Sequence, residues 1–330
     1  MRRNIKSKNF FILAAAGVIF FAAVVFLYTD FFGALKRGAE AERFIIPLNL
    51  DEPAIVSKLK EEGFIRRAFA FNLALSLEGG HGKIKAGGYQ ISKSMNVWQV
   101  ARTLIGESYM KWVVIPEGLR KEEIADILAE KLDWSEEVKE KWINVDTAKE
   151  SDYTEGVYFP DTYLISKDEE PEKVAKRLQV KFQEKINPFS KEVLKQNIKW
   201  TTLVKIASIV QREAAGKNDM PLVAGIIWNR LEKGLKLEVD ATVQYARGKT
   251  EEGWWAPIKV ADKKINSPYN TYLNKGLPLR PIDNPGLDAI KAVLYPEKTA
   301  CLYYIHDNSR VIHCAKTYEE HLGNIEEYLR

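Results

Sequence analysis

The first pattern along the chain is an unbroken apolar run. Phe10 to Tyr28 reads FFILAAAGVIFFAAVVFLY, nineteen residues without a charge. As a helix this run spans about 28 Å, close to the hydrocarbon thickness of a bilayer. Beyond it, residues 29–42 read as a juxtamembrane linker, and shorter apolar patterns follow. Arg43 to Leu48 is strand-like. Asp51, Glu52 and Pro53 open a helix over about 53–62, with acids where the helix dipole favours them. A second helix, about 66–78, stops at Gly79–Gly80. Ile84 to Ile91 reads as a strand broken by a glycine pair, and Asn96 caps a helix over 97–106. Lys111 to Ile115 is a β-rich run that turns at Pro116-Glu117-Gly118 into a helix over 121–131. The order β-α-α-β-α-β-α predicts a compact α+β module.

The second half is richer in helix. The periodicity predicts helices at 171–186, 190–196, 201–215 and 221–233, the last with Pro221 in its first turn and Gly234 after its end. Beyond 234 the chain reads mainly as loop, with Trp254-Trp255, SPYNTY at 267–272 and LPLRPIDNPG at 277–286. A helix over 286–294, a hairpin and a final helix over 317–329 complete it. The exported part divides near residue 150, and the whole is expected to be α+β with an N-terminal transmembrane helix.

Charge then orients the apolar run. Formal net charge is +4; Arg2, Arg3, Lys6 and Lys8 supply four positive charges, and no acid precedes Asp30. The positive-inside rule therefore puts residues 1–9 in the cytoplasm and everything after the 10–28 span outside. A cleaved signal peptide would have a shorter apolar region ending in small residues, not in Phe26, Leu27 and Tyr28. The rest of the chain is close to neutral, which argues against a nucleic-acid partner. The two cysteines, Cys301 and Cys314, flank the hairpin CLYYI–DNS–VIHC, where a turn centred on Asn308 would set them opposite each other. Pairing in an oxidising compartment and burial as two small apolar residues both fit. With four histidines and no ligand spacing, no metal is expected.

One carboxylate stands out in TTLVKIASIVQREAA. Ile206, Ile209 and Val210 lie seven, four and three residues before Glu213, so all four share a helix face. The acid also falls in the last turn, where the dipole disfavours an anion. Both effects raise a carboxyl's pKa and keep a proton available for donation. A rim glutamate paired with a neighbouring Arg or Lys fits the same periodicity.

Longer motifs add to this reading. ASIVQREAA followed by VAGIIWNRLEKGLKLEVDATVQYA, with TEGVYFPDTY at 154–163, SPYNTY, GLPLRPIDNPG and KTYEEH at 316–321, resembles the MltG/YceG family of endolytic murein transglycosylases in order and spacing. The resemblance covers nearly the whole chain. It implies a LysM-like subdomain over 43–150, with GGYQI and IPEGL, and a catalytic transglycosylase domain over 151–330. Family members commonly carry ExE where this chain has Gln211 and Glu213, which leaves Glu213 as the catalytic acid/base. The implied reaction cuts MurNAc-β-1,4-GlcNAc bonds within nascent glycan strands, leaving 1,6-anhydroMurNAc ends and terminating elongation. It needs no cofactor.

Other candidates for sugar contact are Glu155, Asn229, Thr242, Gln244, Tyr245, Ser267, Tyr269, Asn270 and Tyr272, which mix aromatic faces with amide and hydroxyl groups as a saccharide requires. Arg230 reads equally well as half of a surface ion pair. The implied partners are peptidoglycan glycan strands, the cytoplasmic membrane through residues 10–28, and cell-wall synthesis enzymes near the tether. Two other functions compete. One is a membrane-anchored glycan-binding scaffold without catalysis. The other is a glycoside hydrolase whose second carboxylate would be Glu155, Asp161 or Asp240.

Overall fold

The computed structural model describes the backbone of residues 3–148 and 154–330. The chain forms two compact units: residues 1–112 with 164–168, and 113–163 with 169–330. The boundary expected near residue 150 lies outside the described residues.

The first unit opens with helix α1 (Arg3–Phe32), whose segment Ile12–Phe32 is long and apolar enough to cross a membrane, with a mean hydropathy of 2.5. The helix runs four residues past the expected end at Tyr28. Asp30 bridges Arg66 and Arg67 at 3.3 and 2.8 Å, and Phe32 stacks on Trp98 at 5.7 Å, so the last turn is anchored where a linker was expected.

Strand β1 (Ala41–Ile46) leads to α2 (Glu52–Glu61), α3 (Ala68–Leu77) and β2 (Gly87–Ser92). The Asp51 carboxylate accepts from the Ala54 N–H and caps α2. β1 and β2 pair antiparallel from Ala41↔Ser92 to Ile46↔Gly87. Phe44, Ile46, Leu59, Phe71, Leu75, Tyr89 and Ile91 form the core beneath them. The glycine pair does not break the strand; it opens it. A Cβ on Gly87 would lie 2.7 Å from the Met110 carbonyl oxygen, and one on Gly88 would lie 2.8 Å from the Met110 side chain. Glycine there lets the next strand approach at Gly88↔Met110. Asn96 and Gln99 form a reciprocal capping box on α4 (Val97–Ile105), which precedes β3 (Met110–Val114).

Helices α5 (Lys121–Leu132) and α6 (Glu136–Asn144) and strand β4 (Thr162–Ser166) come next. The sheet order is β1-β2-β3-β4. Helices α7 (Pro171–Ile186), α8 (Ser190–Lys195), α9 (Trp200–Glu213), α10 (Met220–Glu232), α11 (Asp240–Arg247) and α12 (Leu287–Leu294) build the second unit. The hairpin β5 (Tyr303–His306) and β6 (Ile312–Ala315) and helix α13 (Tyr318–Leu329) end it. The α+β class stands, while α6, β4 and α11 are additions to the expected elements.

Helix α9 is the axis of the second unit. Leu203, Val204, Ile206, Ala207, Ile209 and Val210 are all fully buried, and the helix packs on α10, α11 and α12. Each of these Leu, Val and Ile side chains contributes about 1.5–3 kcal/mol through burial. Asn284 ties the surrounding loops together. Its Nδ2 donates to the Leu119 carbonyl and to Glu155, and its Oδ1 accepts from the Tyr158 N–H at 2.8 Å. Its backbone bonds Leu119 and Gly118. Gln211 accepts from the Gly286 N–H at 3.0 Å and seats the same loop on α9.

Asn284→Ala strands these buried groups, each costing about 1–3 kcal/mol. We expect a loss of roughly 2–5 kcal/mol in urea unfolding of the full-length protein; a loss within about 0.5 kcal/mol would contradict this account of the loops.

Candidate active site

Glu213 is the last residue of α9, and Ala214 leaves the helix in an extended conformation. The stripe of Ile206, Ile209 and Val210 is buried as the periodicity implies, so the residue emerges from the apolar interior at the helix end. Glu213 itself is half-buried. The Tyr304 hydroxyl donates to Glu213 Oε2 at 2.6 Å, and the Ala241 N–H, in the first turn of α11, donates to the same carboxyl. Asp240, one residue earlier, adds a like charge, and its Oδ1 accepts from the Tyr272 hydroxyl at 2.5 Å.

Burial is the largest influence on the Glu213 proton and pushes the carboxyl above its ordinary range; Asp240 pushes the same way. Tyr304, Ala241 and His306 oppose it without cancelling it. The carboxyl is therefore a reluctant anion with donors already placed for the moment it ionises.

The turn after α9 is fixed by Asp219. Its two oxygens accept from the Ala215 and Gly216 N–H groups at 2.8 and 2.9 Å, and His306 Nε2 lies 2.7 Å away. These donors hold the Asp219 carboxyl below its usual range against the cost of burial. The Arg310 guanidinium donates to the Ala215 carbonyl. An open cleft borders this turn, lined by Ala215, Lys217, Asp219, Leu222 and Arg310 among others. It adjoins the segment after Glu213, not the carboxyl itself.

Tyr304 and His306 come from β5, where residues two apart share a face. The hairpin differs from the expected register. Tyr304, not Cys301, pairs with Cys314, because a five-residue connection spans 307–311. Asp307 accepts from the Ser309 and Val311 N–H groups, and Arg310 takes a positive φ of 64°. Cys301 precedes the strand and still reaches Cys314 as a disulfide, with Cα atoms 5.8 Å apart.

Most of the other candidates are committed inside the fold. Glu155 is buried; it accepts from the Lys121 N–H at the start of α5 and from Asn284, with the Tyr245 hydroxyl at 3.5 Å. Burial and the Glu122 charge push its carboxyl up to about 8 against Arg120 and the Lys121 N–H. Asn229 Nδ2 donates to the Thr299 and Cys301 carbonyls. The Thr242 hydroxyl donates to the Val239 carbonyl and meets Thr271. Gln244 donates to the Trp255 and Ala256 carbonyls. Asn270 donates to the Lys263 and Ile265 carbonyls, and its Oδ1 accepts from the Tyr272 N–H. Tyr245 packs on the Arg120 guanidinium at 4.1 Å and on the Tyr269 ring at 4.7 Å. Ser267 accepts from the Tyr269 N–H. Arg230 is a correction: it is buried, and its guanidinium donates to the Lys236 and Leu302 carbonyls and to Glu238. Of the nine sugar-contact candidates, Tyr272 stands within the electrostatic reach of Glu213. Tyr304 is the neighbour that sequence reasoning missed.

A family model described as the YceG-like family matches residues 44–327. An endolytic murein transglycosylase of Bacillus subtilis is 29% identical over 306 residues, covering 86% of this chain and 84% of its own. One from Streptococcus pneumoniae serotype 2 is 26% identical over 332 residues; the match covers 89% of this chain and only 60% of that longer protein. The 2.6 Å crystal structure of a YceG-like protein from Listeria monocytogenes superposes with a TM-score of 0.59 at 28% identity, covering 86% of this chain and 98% of that one.

A carboxyl that holds its proton more tightly when folded stabilises the fold only while protonated. That contribution is complete below the unfolded value near 4.5 and is lost as pH rises through the folded value. Glu213→Gln should therefore melt higher than the wild type at pH 7, with the gap closing toward pH 4. An equal melting difference at both pH values would contradict the assigned burial.

Proposed function

Because the chain belongs to the YceG-like family, we propose that it is an endolytic murein transglycosylase with Glu213 as its single acid/base. The observation that supports this reading best is the half-buried Glu213 carboxyl at the end of α9, with Tyr304 and the first turn of α11 donating to it. The relatives from Bacillus subtilis and Streptococcus pneumoniae carry that activity in their names.

In the first step protonated Glu213 gives its proton to the oxygen of a MurNAc-β-1,4-GlcNAc bond, and the bond to C1 breaks. Glu213 is left as a carboxylate, the form that Tyr304 and the Ala241 N–H stabilise. In the second step it takes the proton of the C6 hydroxyl of the same sugar as that oxygen attacks C1. The product ends in 1,6-anhydroMurNAc, no water is added, and the carboxyl is protonated again. Holding both groups on one ring makes the attack intramolecular, which favours it over capture of water. We assign sugar contact to Tyr272, beside Asp240, and to the half-buried Tyr269 and Ser267. Glu155, Asn229, Thr242, Gln244, Tyr245 and Asn270 serve the site by fixing the loops around it.

α1 anchors the protein in the membrane, with the basic residues at its start in the cytoplasm and everything after it outside. The disulfide supports an oxidising location for the second unit. The β1-α2-α3-β2 segment is the part we assign to glycan binding as a LysM-like element.

Glu213→Gln should lower strand cleavage of isolated sacculi by roughly 10³-fold or more, while circular dichroism shows a retained fold. Mass spectrometry of wild-type products should find anhydro ends, each one water lighter than a hydrolase product. Hydrolysed ends, or a folded Gln variant with full activity, would reject the mechanism.

A further inference from the structure

We infer that Tyr304 is a positioning residue for the catalytic carboxyl, and that the Cys301–Cys314 bridge is the brace that keeps it there. The inference rests on the reading of Glu213 as the acid/base.

The geometry gives Tyr304 a specific task. Its hydroxyl donates to Glu213 Oε2 at 2.6 Å. An oxygen already accepting a hydrogen bond is the poorer seat for the acid proton, so that proton is directed to Oε1. The same hydrogen bond strengthens once Glu213 has given its proton away, because charge-assisted bonds are the stronger ones. Tyr304 thus selects which oxygen acts and stabilises the intermediate state between the two proton transfers.

The hydroxyl keeps this place only if β5 does. β5 and β6 form an isolated two-stranded sheet, an arrangement with little stability of its own. Helix α13 packs on both strands, with Tyr303 against Tyr318 and His321 and His313 stacked on Tyr328, and a second set of attachments holds the segment around Tyr304. Asn229 holds the Thr299 and Cys301 carbonyls and Arg230 holds the Leu302 carbonyl, all from α10. His306 meets Asp219 at the far end of β5. The disulfide joins Cys301, just before β5, to Cys314, which pairs directly with Tyr304. It therefore closes the hairpin around the residue that touches the acid. Cys301 is buried, so the bridge lies inside the hairpin's packing.

The charged and titratable groups around the pair are Asp240 and Tyr272 on the α11 side, and His306 with Asp219 and Arg230 on the hairpin and α10 side. Removing the Tyr304 donor leaves Asp240 and burial less opposed, so the Glu213 proton is held more tightly.

The test uses the full-length protein in detergent, acting on glycan strands. Tyr304→Phe should lower kcat about tenfold with little change in KM, and move the alkaline limb of the kcat–pH profile upward. Dithiothreitol should move the wild type in the same two directions. In that reaction the S–S bond breaks, Cys301 and Cys314 gain two electrons and two protons, and the reagent closes to its cyclic disulfide. Reductant should change Tyr304→Phe little further, because the brace acts through the missing hydroxyl. The Cys301→Ala/Cys314→Ala double variant repeats the comparison without reductant, with circular dichroism confirming the fold. A Tyr304→Phe profile that overlays the wild type overturns the inference while Glu213→Gln remains inactive. So does bridge loss that leaves the folded wild-type background unchanged, or that slows Tyr304→Phe as much as the wild type. An active Glu213→Gln would instead remove the acid/base reading itself.

Discussion

Glu213 lies where two helix ends meet, and the rest of the site follows from that placement. The C-terminal end of α9 disfavours its anion, while the first turn of α11 offers it an N–H. Burial tips the balance toward the protonated form, and Asp240 adds to it. The anion is nonetheless provided for by Tyr304 and Ala241. A residue that must lose and regain one proton needs both conditions: a neutral resting state and donors already in place for the charged one. Supplying them costs stability, since the donors offset only part of the cost of taking the carboxylate out of water.

The surrounding polar residues hold this arrangement still. Asn284, Gln211 and Glu155 connect the loops at 118–121, 155–158 and 284–286. Asn270, Thr242 and Thr271 lock the segment that carries Tyr272 against α11. Asp219 shapes the turn that leaves α9 and meets His306 of the hairpin. Each of these side chains is spent on a backbone or internal partner. Long loops with little regular structure are thereby tied to the helices they join.

Much of this was legible in the sequence. The apolar stripe of α9 and the cap at Asn96 are local features that the sequence shows, while α9 ends at Glu213, two residues before the expected end at 215. The family motifs single out Glu213 as the proposed acid where periodicity leaves two readings open. What escaped was long-range. β4 is five residues long and earns its place by pairing in the sheet. α11 spans eight residues and begins after Val239 without a side-chain cap, so it reads as loop. α6 does carry a local start signal, Ser135 followed by Glu136 and Glu137. The hairpin register turned on Asp307 and the left-handed Arg310, which no spacing of cysteines encodes. Sugar-contact candidates chosen by residue type failed to distinguish an amide facing a groove from one such as Asn270 that holds its own loop. Tyr304 carries no motif; only the folded hairpin brings it to Glu213.

The central claim is that Glu213 keeps its proton beyond the range of ordinary carboxylates. Direct titration by carbon-13 NMR of glutamate-labelled protein tests it, with the resonance absent from Glu213→Gln giving the assignment. A midpoint above the ordinary value of 4.5 is predicted. A midpoint at or below that value would contradict the account.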